Sequence, residues 1–421
     1  MAIDTPARIA IVGAGPTGLE ATLYARFLGY DVDTFESASV GEALRPYGPI
    51  ELPWTFGELS SPLGRTAILT QNPDHRFPAD DATITVEQWL SSYLLPLAEV
   101  DLVVDSLRPG RSVAQIGREG LRRSDVVPFD DRFDELFLLR IADRDGNEEW
   151  LQCDIVIDAG GGESEPAGWG VGGLDPIGAA RLASESNILL RHVVLPDEER
   201  QREWADRSLL VVGDELPAIR QLDALLDLKR ASPETTIDWI VRGNPEEDSL
   251  GDRLAPLVST DPRAAERMAR IEQGVAAGLI RRLVGLQVAS VSPAQEGWWI
   301  DLVGSQPNRL RSDRIFALTG FRPDFSSARE LQLDLSPETE GPRAWADYLN
   351  AKRSGPEPTR LESAEPLVNH EPNYYVIGRK SYGRRSDYRP SIGLDQIRAL
   401  FTLIADRPGL DLYRHLPTES A

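Results

Sequence analysis

IAIVGAGPTGLEATLYARFLGYDVDTFE, residues 9–36, is the stretch on which the fold turns. It opens with Ile9-Ala10-Ile11-Val12, a short apolar run rich in β-branched residues, which reads as a buried parallel strand. Gly13, Gly15 and Gly18 then spell G-x-G-x-x-G. Gly13 permits the tight turn out of the strand. Gly15 has no side chain, so a pyrophosphate can approach the backbone, and Gly18 lets the next helix pack close to the sheet. That helix is expected from Pro16 to about Leu28. Pro16 suits the first turn, where a missing N–H costs nothing. Pro16 and Thr17 thus belong to the turn whose free N–H groups and positive dipole end would face phosphates.

Gly29 closes the helix, and the following strand ends at Glu36, with Ser37 just beyond it. A carboxylate there accepts hydrogen bonds from both hydroxyls of an adenosine ribose and disfavours a 2′-phosphate. G-x-G-x-x-G alone is a weak signal. Here strand, glycines, helix, closing glycine, strand and acid fall in register, and together they specify a dinucleotide site. Whether the dinucleotide is FAD or NAD is left open by this unit.

The chain has 421 residues, too many for one ordinary core and suited to two. Its net charge of −22 repels phosphate backbones and anionic membranes, so neither nucleic acid nor a membrane is an expected partner. A single cysteine, Cys153, excludes an intrachain disulfide, a CxxC redox pair and a cysteine-rich zinc site. It is expected to be buried and inert on a strand spanning 153–161. The four histidines, His75, His192, His370 and His415, are scattered, and no metal is expected. No signal peptide or apolar span is indicated, which points to a cytoplasmic location.

Further apolar runs each stop at a glycine. They are DIVIDAGG (154–161), RSLLVVGDELPAIRQLDALLDL (207–228) with its following strand TIDWIVRG (236–243), DRIFALTGFRPD (313–324) and NYYVIGRKSYG (373–383). Asp145-Gly146 marks a hairpin turn, and Thr85 with Gln88 a capping box. With these landmarks in place the chain resembles the two-dinucleotide-binding-domain flavoproteins, such as thioredoxin-reductase-like enzymes, flavin-containing monooxygenases and amino-acid N-hydroxylases. The resemblance covers nearly the whole length.

The resemblance implies an α/β protein. A Rossmann-type FAD-binding domain with a parallel sheet carries an inserted, second Rossmann-like domain of the NAD(P)-binding type. The implied boundaries are 1–165 for the first part of the FAD domain, 166–205 for a crossing, 206–320 for the insert and 321–421 for the second FAD part. It also implies that Gly41 lies by the phosphates and Arg45 by the adenosine. Trp54 to Ser61 would pass over the isoalloxazine, and Gly160 and Gly378 would mark strand ends at the cofactor. The helix beginning near Ser391, a plausible N-cap, and Ile392 would face the flavin pyrimidine edge.

Two places depart from the family's pattern. In the second unit the motif reads Gly213-Asp214-Glu215-Leu216-Pro217-Ala218, with Glu215 in place of the central glycine. Its side chain and charge oppose a pyrophosphate. The alternative is that Asp214 or Glu215 simply caps the helix. NADPH is therefore doubtful as a cosubstrate, although Arg242 stands where an arginine could take a 2′-phosphate. In the last strand Arg379 follows Gly378 where the family often has aspartate. A basic cluster there (Arg379, Lys380, Arg384, Arg385, Arg389) either neutralises phosphates or an anionic substrate, or is a solvated loop.

The expected function is an FAD-dependent oxidoreductase acting on a small-molecule substrate. The missing cysteine pair argues against a disulfide reductase and leaves monooxygenase-like chemistry, the favoured expectation, or oxidation of an organic substrate. The flavin is the reactive centre, and the candidate side chains beside it are Trp54, which either stacks on flavin or simply packs, and Lys380; His75 is the histidine that could reach a substrate. Two alternatives stay open: a flavin-binding sensor or assembly partner without turnover, and an NAD(P)H-oxidising flavoprotein holding its nucleotide in an altered pose. A homodimer is an open expectation, since oligomeric state is not written in these residues.

Overall fold

The computed structural model describes residues 7–161, 165–185, 188–243, 261, 263–352 and 360–414. His415 and part of the Gly-rich crossing lie outside them. Ten parallel strands are set in two sheets. In chain order they are Arg8–Val12 (β1), Asp31–Glu36 (β2), Leu107–Pro109 (β3), Ile155–Asp158 (β4), Leu189–Leu190 (β5), Ser208–Val212 (β6), Thr236–Val241 (β7), Arg281–Val284 (β8), Arg314–Ala317 (β9) and Tyr374–Val376 (β10). The first sheet runs β10-β4-β1-β2-β3 and the second β5-β9-β6-β7-β8. All their pairings are parallel.

By contacts the chain forms two compact units: Met1–Ser164 with Arg322–Ala421, and Glu165–Phe321. The stretch 166–205, expected as a crossing, folds within the second unit. There it contributes β5 and the helices Ala179–Ala183 and Glu198–Trp204. Each unit repeats one plan. A strand, a helix and a parallel strand are followed, further on, by a third parallel strand, a three-stranded antiparallel meander and a fourth. The meanders are Arg111–Arg118, Phe137–Asp143, Glu148–Cys153 in the first unit and Leu286–Pro293, Trp298–Gly304, Asn308–Ser312 in the second. Putting β1 or β6 at the centre leaves strand ends, and the helix starts that follow them, at a crevice beside the reversal of strand order, where such sheets bind ligands.

The central strands are apolar because both faces are covered. Ile9, Ala10, Ile11 and Ile155–Ile157 in one sheet, and Leu209–Val211 in the other, are fully buried. Helices Pro16–Phe27 (α1), Pro62–Gln71 (α2) and Pro390–Ile404 (α5) pack in the first unit. Between α2 and α5 come α3 of the first unit, which begins at Val86–Trp89, passes through a π-turn at Leu90–Leu94 and ends with Leu95–Ala98, and Leu216–Ala231 (α4) of the second. Among the described residues no helix is long and apolar enough to cross a membrane.

Two local expectations change. Cys153 does not share a strand with 155–158. It ends the meander, and Asp154 turns the chain by accepting a hydrogen bond from the Arg8 amide at 2.8 Å. The thiol is buried, which pushes its pKa up to about 12. Ser391 is not the N-cap of α5. Pro390 takes the first helical position, which leaves Arg389 as the cap and puts Ser391 and Ile392 inside the first turn. The Thr85–Gln88 capping box and the Asp145-Gly146 turn form as expected.

Candidate functional site

The three glycines of the opening motif have separate physical causes. A methyl placed on Gly13 would lie 2.8 Å from the Ala159 carbonyl oxygen, where β1 and β4 end side by side. A methyl on Gly18 would lie 1.9 Å from the Gly13 carbonyl oxygen. Both glycines are needed by the fold. Gly15 is different: its φ of −74° suits any residue, and a methyl there meets nothing within 4 Å. The fold does not ask for glycine at 15, and the open space above it suits a ligand.

That space is a small cleft with about 40 Å³ of room for solvent, lined by Ala14, Gly15, Pro16, Glu36, Gly41 and Leu44 among others. Glu36 stands at its edge. Its carboxylate accepts hydrogen bonds from the Ala14 amide (3.0 Å) and the Ala38 amide (3.0 Å), and Ser37 Oγ lies 3.4 Å away. These bonds fix the acid against the notch, and a carboxylate has lone pairs left for two sugar hydroxyls. Glu36→Ala is expected to lower the affinity of the notch for a dinucleotide about 10- to 100-fold through loss of charge-assisted bonds. Equilibrium titration with FAD measures this.

Thr17, Gly378 and Gly160 gather around the same end of the sheet. Thr17, in the first turn of α1, has its hydroxyl 3.1 Å from that of Tyr388. Gly378 packs against Thr17, and its amide donates to Gln396 Oε1 at 2.7 Å. Gly160 donates its amide to Asp158 Oδ1 at 3.1 Å. Arg45 is exposed on the Glu42–Tyr47 turn and pairs with Glu42 at 3.5 Å. Trp54 is half-buried on the strand Glu51–Thr55, and its indole Nε1 is buried with no hydrogen-bond partner in the described structure.

Arg379, Lys380, Arg384, Arg385 and Arg389 make separate contacts. Arg379 donates to the Gly383 carbonyl, Arg384 faces Glu340, Arg385 pairs with Asp387, and Arg389 occupies the N-cap position of α5 with no side-chain bond to the first turn. Lys380 is 5% exposed and Asp158 0%. The ammonium donates to Asp158 Oδ2 at 2.6 Å and sits 4.7 Å from the centre of the Phe325 ring. The Tyr374 hydroxyl donates to the same oxygen at 2.6 Å. Lys380 is thus held as the counter-ion of a buried acid. His75 is likewise committed, its Nε2 lying 2.8 Å from the Ser92 carbonyl and its ring edge-on to Phe77.

Sequence reasoning missed two buried acids. Asp158 closes an otherwise apolar run, and that break in the pattern was the available signal. Glu20 sits on a helix covered on several sides, so no polar face set it apart; nothing local marked it.

In the second unit the corresponding turn keeps what the fold needs and loses what only a ligand needs. Gly213 has φ +139°, and a methyl there would lie 2.3 Å from the Leu318 carbonyl oxygen. The third position is the small Ala218. The middle position is Glu215, the N-cap of α4 at φ −109°, ψ 179°, and it makes no side-chain bond to the first turn. Asp214 faces Arg242 at 3.3 Å. The residues here do not fit a diphosphate in the usual pose. Among the described residues no acidic, histidine or cysteine cluster could hold a metal ion.

No protein-family model matches the chain, and no curated protein matches its sequence. Solved structures do. Bacillithiol disulfide reductase from Bacillus cereus superposes with a TM-score of 0.67 at 17% identity, over 95% of this chain and 99% of that one. Ornithine hydroxylase from Pseudomonas aeruginosa gives 0.56 at 14%, over 95% and 99%. Thioredoxin reductase from T. acidophilum gives 0.55 at 13%, over 94% and 97%. At such identities the likeness is one of fold. The chain has the two-unit Rossmann-type fold shared by thioredoxin-reductase-like and flavin-monooxygenase-like FAD-dependent oxidoreductases.

Proposed function

We propose that the chain is an FAD-dependent oxidoreductase acting on a small organic substrate, with monooxygenase-like chemistry as its specific form. The observation that carries the reading is Gly15. It is a glycine that neither backbone conformation nor packing requires, placed over an open cleft at a helix N-terminus with Glu36 at the far edge. The α1 amides would hold the diphosphate and Glu36 the adenosine ribose. FAD, when bound, supplies the two-electron chemistry. The side chains bind, orient and exclude water.

The fold supports either a hydroxylase or a reductase, as its solved neighbours illustrate. Here the single cysteine is buried, its thiol held protonated, so a dithiol relay within the chain is not part of the proposal. Small disulfides still belong among the substrates tested. Anaerobic mixing with NADH and NADPH separates the readings. Little flavin bleaching with either, together with reduction by an organic substrate, supports an oxidase or dehydrogenase. Rapid bleaching by NADPH supports the monooxygenase. Inertness to every donor contradicts an enzymatic role.

Glu215 gives this a handle. One like-charge contact costs on the order of a few kcal/mol at an effective dielectric near 20. Glu215→Gly is therefore expected to lower the KM for NADPH about tenfold or more. An unchanged KM would show that the acid does not obstruct the nucleotide.

A further inference from the structure

Glu20 lies one turn inside α1 and is 2% exposed, yet among the described residues it has no ion-pair partner. Two hydroxyls converge on it instead, one of them held in turn by a backbone amide. Ser61 Oγ donates to Oε2 at 2.8 Å, the Tyr93 hydroxyl donates to Oε1, and the Ser61 amide donates to the Tyr93 oxygen at 2.9 Å. Ser61 is the N-cap of α2. Tyr93 lies on the π-turn of α3, a distortion that recurs at functional sites. One carboxyl thus ties three helices together.

Burial raises the Glu20 pKa to about 7 from an ordinary 4.5, and the bonds from Tyr93 and Ser61 hold it from rising further. The titratable groups facing it are phenols, Tyr93 from α3 and Tyr413 from the C-terminal segment. Both are pushed well above their usual range by burial and by Glu20 itself. They stay neutral, which leaves Glu20 as the group that exchanges a proton near neutrality. The network accepts either state. With Glu20 protonated, the acid donates to the Tyr93 oxygen, the Tyr93 proton turns to Ser61 Oγ at 3.3 Å, and Ser61 still donates to Oε2.

The same carboxyl lines a small cavity, with room for about one water, shared with Pro16 and Thr17 of α1 and Tyr388 and Pro390 at the start of α5. Pro16 and Thr17 are the first residues of the helix whose free N–H groups face the notch. Four residues of helix put Glu20 about 6 Å further along the axis.

We propose that Glu20 is a proton acceptor coupled to occupancy of the notch. A dinucleotide diphosphate arriving at the start of α1 raises the protonated fraction of the carboxyl, each proton taken from solvent converting Glu20–CO₂⁻ and H⁺ to Glu20–CO₂H. The inference rests on the reading of the notch as an FAD site. A negative charge roughly 10 Å away at an effective dielectric near 20 raises the carboxyl's proton affinity on the order of tenfold. By linkage, FAD binds about tenfold more weakly above the titration than below it.

Calorimetric titration of the flavin-free full chain with FAD, in buffers of different ionisation enthalpy between about pH 6 and 9, counts the protons. The expected result is uptake of a few tenths of a proton per FAD near neutrality, abolished in Glu20→Gln. Binding without uptake, or uptake that persists in Glu20→Gln, overturns the proposal and leaves the FAD reading standing. Failure to bind FAD overturns both. If Glu20→Gln does not fold, Tyr93→Phe replaces it. Removing the hydroxyl that holds the carboxyl's pKa down is expected to move the uptake to higher pH, and an unmoved window overturns the proposal.

Discussion

A chain carrying Gly15→Glu is expected to fold as the native protein does and to retain no FAD. The protein contains its own control. Gly15 and Glu215 are the N-caps of corresponding helices, with φ −74°, ψ −175° and φ −109°, ψ 179°. The second unit shows that a glutamate side chain is accommodated at that place in the turn. In the first unit the same side chain would enter the cleft over the α1 amides and set a carboxylate against a diphosphate. At about 4 Å and an effective dielectric near 20, one such charge contact costs ~4 kcal/mol, and the lost space adds to it. Affinity should fall by roughly a thousandfold or more. Circular dichroism and denaturation check the fold, and the flavin absorbance of the purified protein checks the cofactor. A yellow, fully loaded variant contradicts the assignment.

Lys380→Met is expected to destabilise the first unit by about 3–5 kcal/mol, because it strands Asp158 as an uncompensated charge in the interior. Asp158 keeps the Tyr374 hydroxyl and the Gly160 amide, but these are dipoles, and its only ion-pair partner among the described residues is gone. The double variant Asp158→Asn, Lys380→Met has no buried charge in this place and is expected to recover most of the loss. Chemical denaturation with a probe in the first unit measures both. A single variant as stable as the native chain would show that Lys380 is not the counter-ion the geometry makes it.

Most of the fold could be read from residues 9–36 because three periodic signals overlap there. An apolar run of strand length, glycines at fixed spacing and an acid at the next strand's end leave one arrangement. The second unit was legible for the same reason, from Ser208–Val212 and the turn after it, although its middle glycine is gone. What the motif reading could not do was separate a glycine required by the chain from one required by a ligand. Gly13 and Gly213 answer to a neighbouring carbonyl, Gly15 to open space, and only coordinates distinguish them.

The basic cluster after Gly378 shows a different limit. Sequence places five cations within eleven positions but not the acids that pair with Lys380, Arg384 and Arg385, which are Asp158, Glu340 and Asp387. Asp158 and Glu340 are far away in the chain. A charge run looks like a ligand site when its partners are distant. Glu20 was hidden for the complementary reason. Its partners, Ser61 and Tyr93, lie 41 and 73 residues away, and the π-turn that carries Tyr93 breaks the periodicity on which helix reading depends.

The account stands on the cleft above Gly15 being a flavin site. Purification of the full chain, an absorbance spectrum, and chromatography of the cofactor released on denaturation test that claim. A yellow protein that yields FAD, or a colourless one that regains the flavin spectrum and a full equivalent of FAD on reconstitution, is the predicted result. A protein that emerges colourless, stays folded and takes up no FAD would contradict it.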